Sequence, residues 1–122
     1  MTVLTEGRRT AGYLISEAAD MYRSRDTGVL AAGVAGTLAA GTVLGKVTAT
    51  GHFNIYNPAA NDGTEEVDGI LFEDGVAGDE RTITARDSAV KASQLTWFSG
   101  ATQAQIATAV AALEALGIVV RN

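Results

Sequence analysis

The side chains able to do chemistry are few, and most of them sit in turns. Carboxylates gather in two places: Asp62, Glu65, Glu66 and Asp68, then Glu73, Asp74, Asp79 and Glu80. Grouped carboxylates can hold a divalent cation or hydrolyse a glycoside. A calcium loop places acidic side chains at alternating positions around a turn glycine, and Asn61-Asp62-Gly63-Thr64-Glu65 lacks that alternation. A glycosidase holds one carboxyl in apolar surroundings so that it stays protonated, and nothing here isolates a carboxylate in that way. The better reading is solvated turns, with a weak divalent site at a subunit contact as the alternative. There is no Cys and one His, His52. That removes disulfides, thiolate nucleophiles and thiolate zinc sites, and leaves a His-based triad with almost nothing to work with. Gly33, Gly36, Gly41 and Gly45 form no phosphate loop, because no Lys-Ser or Lys-Thr closes a G-x-x-x-x-G. The chain is therefore expected to be no enzyme and to carry no metal and no cofactor.

Three groups of residues point to binding instead. Trp97-Phe98 places the single Trp beside a second large ring in a Ser/Gly-flanked loop, either as a core plug or as an interface anchor. Arg8, Arg9, Arg23 and Arg25 make the first quarter basic in a chain with 9 basic and 14 acidic residues, net charge −5. That asymmetry suits docking on an acidic surface, while the net charge disfavours nucleic acid as a partner. His52, Asn54 and Tyr56 share one face of an alternating run, the polar–aromatic set that a sugar-binding module would use.

These residues need elements to position them. The chain has 122 residues, with 22 Ala, 14 Gly and 14 Thr, which suggests a small core of short strands and many turns. Residues 1–28 read as an extended arm with one strand at 12–16. The run 29–41 contains two similar pieces, each a Leu-Ala-Ala-Gly. Thr42 to Thr50 reads as a strand with a bulge at Gly45, paired through a turn at Gly51 with a strand at 52–56. A loop follows at 57–63, a strand at 65–72, an acidic turn at 73–80 and a half-exposed strand at 81–87. Ala89-Val90-Lys91-Ala92 either continues that strand or bends away. Thr102 with Gln105 three residues later marks a helix over about 102–116, with Ile106, Ala109, Val110, Leu113 and Leu116 on one face. Gly117 can end it, and Ile118-Val119-Val120 is a last strand. The fold class is mainly β with one C-terminal helix, an α+β domain. No run is long and unbroken enough to span a membrane, and the N-terminus does not read as a secretory signal. The chain is expected to be soluble and made in a cytoplasm, with no membrane partner.

The ordered series Leu38-Ala39-Ala40-Gly41-Thr42-Val43-Leu44-Gly45-Lys46-Val47-Thr48, Tyr56-Asn57-Pro58-Ala59-Ala60, Gly69-Ile70-Leu71, Ala85-Arg86-Asp87, Leu95-Thr96-Trp97 and Leu116-Gly117-Ile118-Val119-Val120-Arg121 resembles head decoration proteins of tailed bacteriophages, the family of the lambda head decoration protein D. Tyr13-Leu14-Ile15-Ser16-Glu17-Ala18 resembles the family's N-terminal segment. The resemblance implies a β-tulip or β-clip-like small domain with an extended N-terminal arm. It implies a homotrimer on the outer surface of the virion, at three-fold and quasi-three-fold positions of the expanded capsid. There it would hold major capsid protein subunits against internal DNA pressure. Residues 1–28 would be the capsid-binding arm, through Val3, Leu4, Arg8, Arg9, Tyr13, Leu14 and Ile15, and residues 29–122 the decoration domain. Trp97 and Phe98 are candidates for the trimer contact. The rival from another class is a β-clip ligand-binding module, a sugar binder built on His52, Asn54 and Tyr56.

Overall fold

The computed structural model describes residues 10–17 and 24–121. Within them the chain forms β1 (Leu14–Glu17), β2 (Arg25–Val29), β3 (Val43–Lys46), β4 (Phe53–Ile55), β5 (Gly69–Leu71), β6 (Glu80–Thr84) and β7 (Ser88–Lys91). A 3-10 turn at Ala92–Gln94, the helix α1 (Gln103–Ala115) and β8 (Ile118–Arg121) complete it. The class is as expected, mostly β with one C-terminal helix. The strands form two sheets. One has five antiparallel strands in the order β2-β6-β5-β3-β4. The other has three, β1-β7-β8, with β1 antiparallel and β8 parallel to β7. A parallel pair needs a crossover, and α1 supplies it.

The five-stranded sheet is buried on both faces. Successive residues of a strand point to opposite sides, so Val43 and Ile70 enter one core while Leu44, Leu71 and Ile83 enter a second. The first core lies between this sheet and the layer made by the three-stranded sheet and α1, with Tyr13, Val90, Leu113 and Ile118. The second is closed by the 30–38 loop, through Leu30, Ala31, Val34 and Leu38. A two-sided sheet explains apolar runs such as Gly69-Ile70-Leu71 that do not alternate.

The expected β3–β4 hairpin is present, with Leu44 opposite Ile55 and Lys46 opposite Phe53. It is shorter than expected because Val47 N–H bonds the His52 carbonyl and Gly51 N–H the Val47 carbonyl, which turns the chain early. Gly45 makes no bulge; it pairs in register with Asn54. Its reason is close approach: a Cβ there would lie 2.5 Å from Thr64 Cα and 2.8 Å from the Glu66 carbonyl oxygen. The strand expected over 65–72 is confined to Gly69–Leu71. After β6 the chain does bend away, through Asp87 at φ 51°, so that β7 enters the other sheet.

The helix is capped as its sequence announces. Thr102 Oγ1 accepts from Gln105 N–H at 3.2 Å, and Gln105 Oε1 accepts from Thr102 N–H at 3.0 Å. Gly117 ends it at φ 89°. The buried face differs from the expected one. Ala109 and Leu113 are buried, with Ala112 and Leu116 packed beside them, while Ile106 and Val110 are only half-buried. Alanine on every side leaves the sequence with no sharp apolar stripe, so tertiary packing sets the rotation. Among the described residues no helix is long and apolar enough to cross a membrane.

Candidate functional site

The residues expected to bind start at the N-terminus. Val3, Leu4, Arg8, Arg9 and Arg23 lie outside the described residues. Tyr13 is 1% exposed and belongs to the first core. Its hydroxyl meets Thr84 Oγ1 at 2.5 Å, a bond that ties β1's approach to the five-stranded sheet. Burial pushes the phenol up to about 12. Leu14 packs part-buried against the same core, and Ile15, in a β-bulge between Leu14 and Ser16, is 47% exposed.

Glu17 and Arg25 close the ends of the segment between β1 and β2. The Arg25 guanidinium donates twice to the Glu17 carboxylate, once from Nε at 3.0 Å and once from a terminal nitrogen. Ser24 Oγ donates to the same carboxylate at 2.5 Å. Arg25's hydrogen bonds hold Glu17 below the usual carboxylate range. The guanidinium also stacks 4.4 Å over the Phe72 ring. So Tyr13, β1 and all of β2 but Val29, inside the segment expected as an arm, carry core contacts, ladder bonds and an ion pair.

Trp97 and Phe98 are half-buried and packed against the first core. The Phe98 ring meets Tyr56 edge-on, with centroids 5.9 Å apart. Tyr56 is itself 4% exposed, so it does not face outward with His52 and Asn54. It leaves the alternation of β4 because the strand ends at Ile55 and Tyr56 N–H bonds Val43. The Asn54 side-chain oxygen accepts from Ile55 N–H. The polar–aromatic set of the sugar-binding reading is thereby split between the surface and the core.

Four of the turn carboxylates cap backbone groups. Asp62 accepts from Thr64 N–H and hydroxyl, Glu65 from Gly63 N–H, Asp74 from Ala40 N–H and Asp79 from Val76 N–H. These bonds draw Asp62 below the usual carboxylate range. No group of three or more His, Asp or Glu side chains among the described residues is arranged to hold a metal ion.

One surface was not foreseen. In the three-stranded sheet Ser88 stands opposite Ile118 and Val90 opposite Val120, and these turn toward the core. The alternate positions turn outward: Ser16, Ala89 and Val119 in one row, Lys91 and Arg121 in the next. Val119 is 42% exposed, and Lys91 and Arg121 are both exposed. No local sequence signal joins Lys91 to Arg121, which lie on different strands and meet only through parallel register.

A protein-family model described as bacteriophage lambda head decoration protein D matches residues 3–118, nearly the whole chain. The chain belongs to this family. Membership makes it a phage head decoration protein, a structural component associated with the virion capsid. No curated protein sequence matches it.

Proposed function

We propose that the protein binds the outer surface of the expanded capsid as a homotrimer at three-fold and quasi-three-fold positions, touching the major capsid protein and stabilising the shell against internal DNA pressure. The observation that carries the reading is the family match over residues 3–118. The geometry is compatible with an additive mechanism. A trimer presents each binding segment three times, so modest contacts multiply by avidity. The N-terminal segment would add a strand to a sheet edge of the shell, gaining main-chain hydrogen bonds with little sequence demand.

The arm in this reading is shorter than residues 1–28. Tyr13 is a core residue and β1 and β2 are laddered into the sheets, so the proposed arm ends before Tyr13. Val3, Leu4, Arg8 and Arg9 fall within it, and Ile15 lies at its foot. Trp97 and Phe98, half-exposed beside the first core, would contribute to the contact between protomers. Light scattering of free protein and co-sedimentation with expanded, undecorated heads test the reading. A trimer that saturates the heads supports it; a monomer that stays in the supernatant overturns it.

A further inference from the structure

The cations of this chain are distributed unevenly between paired and unpaired positions. The described residues include six, and four of them are held by carboxylates: Arg25 by Glu17, Lys46 by Asp68, Arg81 by Glu73 and Asp79, and Arg86 by Asp26. The other two, Lys91 and Arg121, have no ion-pair partner among the described residues and stand directly opposite one another on β7 and β8. Adjacent strands lie about 4.8 Å apart, and like charges in direct register destabilise a sheet. The fold therefore bears a repulsion that one substitution would remove.

The surroundings reinforce the oddity. The only carboxylate on the three strands is Glu17, and Arg25 and Ser24 already occupy it. The same outward face carries exposed Val119 and the half-buried Ala89, with exposed Ile15 at the bulge. In a chain of net charge −5, the strands of this face set Lys91 and Arg121 beside its apolar patch. Such a face complements an acidic surface.

We propose that the outer face of the three-stranded sheet is a docking surface for an acidic, partly apolar patch of the capsid shell, with Lys91 and Arg121 as its paired carboxylate receptors. The inference rests on the decoration reading above and specifies the partner's chemistry. The face adjoins the root of the proposed arm: Lys91 N–H bonds the Tyr13 carbonyl, and Arg8 and Arg9 precede Tyr13 by a few residues in the sequence. A shell patch that attracts one basic element attracts the other, so arm and sheet face would engage one continuous surface.

The test is Lys91→Glu, compared with wild type for thermal unfolding, oligomeric state and co-sedimentation with expanded, undecorated heads at low and high salt. The substitution converts a repulsive cross-strand pair into an attractive one, so the unfolding midpoint should hold or rise. Self-association should be unchanged, and affinity for heads should fall by about tenfold or more, with a weaker salt dependence. Val119→Ser should lower head affinity with an unchanged midpoint. Equal head binding by wild type and Lys91→Glu overturns this proposal and leaves the decoration reading standing. Loss of self-association in Lys91→Glu makes a second copy the occupant and also overturns it. Heads that fail to bind wild-type protein overturn both.

Discussion

The two sheets of this protein differ in how much of themselves they bury. Strands β3 and β5 of the five-stranded sheet send neighbouring residues into two cores, Val43 and Ile70 one way, Leu44 and Leu71 the other. The three-stranded sheet buries Ser88, Val90 and Ile118 and leaves Ala89, Val119, Lys91 and Arg121 outside. A sheet covered on both sides is there to hold the molecule together. A sheet with one bare, basic and apolar face has surface to offer a partner. Substitutions in the first should be read out as stability, and those on the bare face as binding.

The largest effects should come from the shared interior. Leu71→Ala and Leu113→Ala each remove a side chain that is 0% exposed and should cost about 2–5 kcal/mol in chemical unfolding. A loss under about 1 kcal/mol at either position would break the contrast between the two sheets. Next is Tyr13→Phe, which strips the partner from the buried Thr84 hydroxyl and should cost about 1–3 kcal/mol. Deleting residues 1–16 would remove Tyr13 and most of β1, and should destabilise the fold. Deleting 1–9 should leave the unfolding midpoint near wild type while reducing head binding.

A smaller effect is expected at Glu17, and it depends on pH. Its folded pKa is depressed by the Arg25 hydrogen bonds, so its contribution is present above the unfolded value of about 4.3. It fades as pH falls through the lower folded value. Glu17→Gln should be less stable than wild type at neutral pH, and the gap should close as the solution is acidified below about pH 4. A gap that persists at low pH would assign the loss to packing rather than charge. Smallest of all is Val119→Ser on the bare face, expected within about 0.5 kcal/mol of wild type. A larger loss would show that this face is structural.

Elements with local signatures were legible in the sequence. Thr102 and Gln105 announce the helix start and Gly117 its end, and Phe53-Asn54-Ile55 alternates as a hairpin strand should. The resemblance carried by the series from Leu38 to Arg121 led to the family that the comparison shows. What was not legible depends on contacts distant in sequence. Gly45 looked like a bulge because no local pattern reveals the 64–66 loop that crosses it. Tyr13 looked like an arm residue because its partner, Thr84, is 71 residues away. Ile106 and Val110 looked buried because an Ala-rich helix does not declare its rotation. The Lys91–Arg121 pair exists only in the register of two parallel strands.

A reconstruction of expanded heads saturated with this protein would show how the trimer and its three-stranded sheet sit on the shell. Trimeric density is expected at three-fold and quasi-three-fold positions, with the three-stranded sheet turned toward the shell and the residues before Tyr13 laid along it. Bare heads would contradict the decoration reading itself, and trimers whose three-stranded sheet faces solvent would contradict the assignment of that face.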